Sequence, residues 1–210
     1  MRSYGQYCAV AKALDVVGDR WTLLIVRELT EGPRRFTDLQ KGLPGIATNL
    51  LTERLRDLEA ADLLWRESAP PPVATTLYHL TASGQELEPV LRALGRWGVR
   101  YMAEPRGDEA FRSHWLSFPA TEFLRDSDPT GPPLAIQVRT GEEPMVIDVV
   151  DGEIITRAGS VDSPDLELEG APPEVFGVVS GKLPMAEARR RGLRVKGDTK
   201  VLQRLRPTQS

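Results

Sequence analysis

The chain has 210 residues, of which 40% are hydrophobic and 27% charged, and its formal net charge is −3. That length suits two domains of about 100 residues each better than one, and no apolar run approaches the ~18 residues of a membrane span. The near balance of charge excludes a generally basic nucleic-acid coat, so any nucleic-acid surface must be a local patch. The single cysteine excludes a disulfide scaffold, and the opening residues Met1 to Tyr7 lack the apolar stretch of a secretory signal, so the expected compartment is the cytoplasm.

From Cys8 to Val17 the apolar residues Val10, Ala13, Leu14 and Val17 recur at helical spacing, and Gly18 ends the segment. Asp19 is expected to cap a second helix whose buried stripe is Trp21, Leu24, Ile25 and Leu29, stopped by Gly32-Pro33. Thr37 or Asp38 caps a short helix from Leu39 to Leu43. Pro44-Gly45 then breaks the chain before a strongly periodic helix from Thr48 to Ala61, with Leu51, Leu55 and Leu58 facing inward. Two helices separated by so short a break, the second carrying Thr48, Asn49, Thr52 and Arg56 away from its leucines, fit a helix-turn-helix whose second helix reads DNA.

Residues 63–66 and 76–80 alternate like the strands of a wing, with Pro70-Pro71-Pro72 as its stiff tip. Leu87, Val90, Leu91, Leu94, Trp97, Val99 and Tyr101 then give a long helix more apolar than a surface helix needs, which is expected to pair with a second copy. Residues 104–108 read as a linker, leaving 1–104 as a DNA-binding and dimerisation domain and 108–210 as a second domain. Helices are expected around Phe111 to Leu124, followed by strands 134–139, 145–150 and 153–157. Asp151-Gly152 turns the last pair, and Leu166 and Leu168 continue an antiparallel meander. Helices over 173–179 and 185–191, a strand over 193–196 and a last short helix complete an α+β fold.

The first half, over roughly residues 4–102, resembles the HxlR-type regulators of the winged-helix multiple-antibiotic-resistance-regulator superfamily. The resemblance rests on Tyr7-Cys8-Ala9-Val10-Ala11, Gly18-Asp19-Arg20-Trp21-Thr22-Leu23-Leu24-Ile25, Arg35-Phe36-Thr37-Asp38-Leu39, residues 50–59 and Tyr78-His79-Leu80-Thr81-Ala82-Ser83-Gly84. It implies a bacterial, homodimeric transcriptional regulator, more often a repressor, that sets one recognition helix per subunit in successive major grooves of a pseudo-palindromic operator. Ala47 stands where the family often has serine before that helix, and the wing tip carries prolines without a basic residue. The second half, over roughly residues 108–206, looks like a sterol-carrier-protein-like domain through residues 148–152, 165–168, 179–182 and 193–198. That likeness implies an α+β fold with an antiparallel-rich sheet covering an apolar cavity for a hydrophobic small-molecule effector.

Double-stranded DNA is the expected partner, with Thr48, Asn49, Thr52 and Arg56 at base edges and Arg34, Arg35, Lys41, Arg54 and Arg66 on phosphates. Arg54 has local competitors in Glu53, Asp57 and Glu59. Cys8 at a helix start, one turn before Lys12, is a candidate redox sensor whose pKa both the helix N–H groups and the lysine would lower. The resemblance implies that role too, while a small buried residue is the plainer reading. Trp115, Phe123, Val175, Phe176 and Val179 are candidates to line the effector cavity, with core packing as the default. His79 and His114 lack partners at ligand spacing, so no metal site is expected, and without a cofactor loop or a nucleophile–base pair neither a cofactor nor an enzyme activity is. Two functions remain: a regulator governed by a hydrophobic effector or by oxidation of Cys8, and a small-molecule or lipid-like carrier whose winged-helix half serves mainly for dimerisation.

Overall fold

The computed structural model describes residues 3–69, 75–102, 109–141 and 143–208. The chain divides into two compact units, Met1–Glu104 and Pro105–Ser210. Residues 70–72 of the expected wing tip and 104–108 of the expected linker lie outside the described residues.

The first unit runs α1 (Ala9–Val17), α2 (Thr22–Thr30), β1 (Arg34–Arg35), α3 (Phe36–Gly42), α4 (Thr48–Ala60), β2 (Leu64–Ala69), β3 (Thr75–Leu80), α5 (Ala82–Gln85) and α6 (Glu88–Gly98), closed by a 3-10 turn over Val99–Tyr101. The three strands form one antiparallel sheet in the order β1-β3-β2, with Arg34 opposite Tyr78 and Leu64 opposite Leu80. Leu51, Leu55 and Leu58 of α4 are buried with Ile25, Val26, Leu29, Leu39 and Leu64 in one core, each full burial contributing about 2 kcal/mol. Thr81 ties the wing to the next helix. Its Oγ1 donates to the Asp62 carbonyl and accepts the N–H of Gly84.

Three local expectations are corrected here. The stripe of α1 is split: Val17 is buried, as is Ala11, whereas Val10 and Leu14 are exposed. Asp19 does not cap α2, since Trp21 precedes that helix in a left-handed conformation (φ 80°) and the Asp19 carboxylate is drawn to Arg54. The helix α3 begins three residues before Leu39, because Asp38 sits inside its first turn, where its carboxylate accepts the Arg35 N–H.

The second unit opens with a 3-10 turn over Ser113–Leu116 and α7 (Ser117–Phe123). It continues through β4 (Leu124–Asp126), β5 (Leu134–Arg139), β6 (Met145–Val150), β7 (Glu153–Ala158), β8 (Leu166–Glu169), α8 (Pro172–Val179), α9 (Met185–Arg190) and β9 (Arg194–Gly197), and closes with a 3-10 turn over Thr199–Arg204 and β10 (Leu205–Pro207). Asp151 and Gly152 both take positive φ, 52° and 84°, as the tight hairpin between β6 and β7 requires. The five-stranded sheet has the order β7-β6-β5-β8-β9. It is not a pure meander, because β8 crosses over to lie parallel to β5 while the other pairs are antiparallel. The crossover is fixed by the buried Gln137 amide, whose Nε2 donates to the carbonyls of Met145 and Gly159 and whose Oε1 accepts the Val161 N–H. One sheet face, with Ile136, Val138, Ile147, Val149, Leu166 and Leu168, packs against Ala120, Val175, Val178, Val179 and Ala188 of the helices.

A small second sheet, absent from the sequence reading, pairs β4 with β10. Beside it Arg204 donates to both oxygens of the fully buried Asp126 carboxylate, at 3.1 and 2.6 Å, and to the Asp128 carbonyl. These hydrogen bonds from Arg204, reinforced by the Asp128 N–H, hold the Asp126 carboxyl below the usual carboxylate range against the opposing effect of burial. A depressed folded pKa means that the pair's stability is present above the unfolded carboxylate pKa of about 3.9 and is lost as pH falls through the lower folded value. Asp126→Asn should therefore cost about 3 kcal/mol at neutral pH, because Arg204 keeps its charge without a counterion. Urea unfolding of wild type and variant across pH should show that difference shrinking below about pH 4; a difference unchanged with pH would refute this account.

Candidate nucleic-acid interface

The site is built by the rotation of α4. With Leu51, Leu55 and Leu58 turned into the core, Thr48, Asn49, Thr52 and Arg56 are all exposed, and the four-residue steps from Thr48 to Thr52 to Arg56 stack them along one stripe. Asn49 and Arg56 make no side-chain hydrogen bond among the described residues. Both are available to a base edge, Asn49 as a bidentate partner for adenine and Arg56 for guanine.

The two threonines are committed in opposite senses. Gln40, near the end of α3, reaches across the turn and donates from Nε2 to Thr48 Oγ1 at 2.8 Å, which leaves the Thr48 hydroxyl proton free to donate outward. Thr52 Oγ1 instead donates to the Thr48 carbonyl at 2.9 Å, which leaves its lone pairs as acceptors and its methyl as an apolar contact. Gln40 was not singled out in the sequence reading. The signal that could have found it is the turn itself, which brings the last turn of one helix beside the first residue of the next.

The expected phosphate ligands fall into distinct groups. Arg35 is exposed, and its guanidinium makes no hydrogen bond among the described residues, while Lys41 is exposed on the last turn of α3. Arg34 is half-buried and donates from Nε to the Glu28 carbonyl at 3.3 Å. Arg66 is exposed and paired with Glu59 at 2.8 Å. Arg54 is the correction: it is mostly buried, with Nη1 on Asp19 (2.9 Å) and Asp57 (2.5 Å) and Nη2 on Glu53 (3.2 Å), so three carboxylates already engage both of its Nη groups while Nε is buried. Glu59, expected among its competitors, goes to Arg66 instead. On the wing, Trp65 stacks on His79 with ring centroids 4.3 Å apart.

Cys8 is exposed at the N-cap of α1. Backbone N–H groups of Ala11 and Val10 hold its thiol below the ordinary cysteine range. The expected help from Lys12 does not arise, since that side chain turns to Asp15 at 3.7 Å. Nearby Val10 and Leu14 are exposed, as are Val90, Leu94 and Trp97 of α6, spaced four and three residues apart on one side of that helix.

In the second unit, Val175 and Val179 are packed in the core, 1% and 2% exposed, with Phe176 against it. Trp115 stands edge-on to Phe111, and Phe123 edge-on to Phe118. None of these five lines the cleft of about 570 Å³ in this unit, whose walls include Arg139, Glu169 and Arg194. Val175, Val179 and Phe176 are thus used as core, as sheet and helices packed face to face demand, whereas Trp115 and Phe123 are half-buried.

Comparison with known proteins accounts for both halves. The HxlR-like helix-turn-helix family matches residues 16–106, and the SCP-2 sterol transfer family matches residues 128–210. The uncharacterized HTH-type transcriptional regulator sll1512 of Synechocystis sp. is 36% identical over 100 residues, covering 48% of this chain and 74% of the relative. The uncharacterized HTH-type transcriptional regulator YvaP of Bacillus subtilis is 33% identical over 91 residues, covering 43% and 84%. Among solved structures, the reduced form of the transcriptional regulator YodB from B. subtilis superposes over 48% of this chain and the whole of its own at 28% identity, with a TM-score of 0.41. A reading helix with an exposed polar stripe, in a half-chain that shares a third of its residues with regulators it largely spans, places the protein: it belongs to the HxlR-like helix-turn-helix family of transcriptional regulators, with a domain of the SCP-2 sterol transfer family joined to it.

Proposed function

We propose that the protein acts as a homodimeric repressor on a pseudo-palindromic operator, with one copy of α4 in each of two successive major grooves. The observation that carries this reading is the α4 stripe, where Asn49 and Arg56 stand exposed and uncommitted beside two threonines of opposite hydrogen-bonding sense. Asn49, Arg56, Thr48 and Thr52 read bases, Thr48 as donor and Thr52 as acceptor, and Arg35, Lys41 and Arg66 neutralise phosphates. Arg54 serves instead as an internal brace between α4 and the turn after α1. Support for pairing comes from α6, where Leu91, with Leu87 just before the helix, packs on the core while Val90, Leu94 and Trp97 form an apolar stripe that is exposed among the described residues. Val10 and Leu14 of α1 are further exposed apolar residues that a second copy could bury.

Control is proposed through an effector held by the second domain or through Cys8, whose depressed pKa raises its thiolate fraction and so its reactivity at neutral pH. Either input acts only as far as it favours one dimer geometry over another.

Gel-shift and anisotropy titrations on the intergenic DNA upstream of the gene, against scrambled DNA at two salt concentrations, test the DNA reading. Asn49→Ala should lose about 1–3 kcal/mol of preference for the operator with little change on scrambled DNA. Arg35→Gln should weaken both alike and reduce the salt slope by about one. Equal binding to both DNAs by wild type would sink the proposal.

Leu94→Asp should turn the dimer into a monomer in sedimentation equilibrium and lower operator affinity with it; a variant that sediments as the wild type does would remove α6 from the interface. For the thiol, the alkylation rate of the wild type should rise with a midpoint below the ~8.5 of a free cysteine, and Cys8→Ser should abolish any effect of diamide on operator binding. An oxidant response that survives in Cys8→Ser would take this residue out of the control scheme.

A further inference from the structure

In the second unit the parallel strands β5 and β8 end side by side, and their connections part there. The strand β5 turns back into its hairpin with β6, on one side, whereas β8 runs on through Gly170 into α8 and so to β9, on the other. That end of the sheet, where the β5–β6 hairpin and the connection from β8 lead apart, frames an opening. The opening is a cleft of about 570 Å³, walled by Arg139, Gly141, Glu169, Gly170, Gly192 and Arg194. Its volume lies within the range of small-molecule sites.

The chemistry of the wall is that of an anion site. Arg139, at the end of β5, donates from Nε to Glu167 at 2.6 Å, and Arg194, at the start of β9, donates from Nη2 to Glu169. Each carboxylate holds one edge of its guanidinium. Both Nη groups of Arg139, and Nε and Nη1 of Arg194, make no hydrogen bond among the described residues. Glu169 stands opposite both Arg139 and Arg194 in the sheet register, and Glu167 opposite Lys196. Among the lining residues two arginines face one carboxylate, Glu169, while Glu167 behind them pairs with Arg139. Of the three glycines in the wall, Gly192 has open space where a side chain would stand.

We propose that this cleft binds a small organic anion through a carboxylate group received by the open donors of Arg139 and Arg194. Guanidinium matches carboxylate in a planar, two-point geometry, and the glutamates behind hold the two forks in place before the ligand arrives, which lowers the ordering cost of binding. A wall so rich in charge does not suit a lipid-like molecule. The arginines are partly exposed to solvent, so screening keeps the affinity modest, with Kd on the order of 0.1–1 mM. The inference deepens the proposal that the second domain holds an effector by naming its class. Binding is measured without DNA, so that its failure is distinct from a failure of operator recognition.

Isothermal titration of the full-length protein with succinate, inorganic phosphate and the neutral succinamide tests it. Succinate should give saturable heat and succinamide none. Arg139→Gln and Arg194→Gln should each weaken succinate about tenfold or more; Arg194 is exposed enough that its variant keeps the fold even if the other does not. Arg139→Lys, which keeps the charge and loses the fork, should also weaken succinate. Absence of saturable heat with succinate, succinate binding that survives both glutamine variants, or binding of phosphate alone would each overturn the assignment.

Discussion

The burial of three leucines along one side of α4 is the constraint on which the DNA-reading half depends. Leu51, Leu55 and Leu58 lie one helical turn apart and are all but fully buried, so they fix the rotation of that helix about its own axis. Successive residues of a helix turn by about 100°; a slip of one position would carry Leu51 outward and Thr52 inward. The exposure of Thr48, Asn49, Thr52 and Arg56 is thus the reverse side of core packing. The brace from Arg54 to Asp19 and Asp57 acts in the same direction. It links α4 to the turn after α1.

The second half is organised by a different constraint, the crossover that places β8 beside β5. That choice requires a segment to pass over the sheet, and a polar side chain, Gln137, is buried to receive it. A buried amide without partners would be costly; here its acceptor and one donor bond are satisfied by backbone groups of the passing chain, Val161 and Gly159, and the other donor bond by Met145 of β6. The same crossover creates the pair of parallel strand ends at which Arg139 and Arg194 meet. Fold and cleft therefore have one origin.

Much of this is legible in the residues themselves. The 3.6-residue period of α4, the Asp151-Gly152 turn and the alternation of β5 to β7 declare their local geometry, and the order of the elements follows. What the chain does not declare is pairing at a distance. Nothing near β8 says that it lies parallel to β5, since two leucines alternating with glutamates would fit either direction. The neighbours Glu53 and Asp57 that compete for Arg54 are legible in the sequence, but its third partner, Asp19, is far off in the chain. The apolar stripe of α1 is a helical face in either reading, and only the structure shows that half of it turns away from its own core. Val175 and Val179 were readable as lining or as core because both need the same side chains; the sheet behind them decides for core.

The clamp between Asp126 and Arg204 joins residues 78 positions apart, whereas the contacts of the first unit close by Glu104. Translation proceeds from the N-terminus, and domains fold as they emerge. The reading half can therefore be complete on the ribosome while the second half still lacks the arginine that neutralises its buried carboxylate. Synthesis interrupted between these points would leave a finished helix-turn-helix unit attached to a second unit whose buried Asp126 has no counterion.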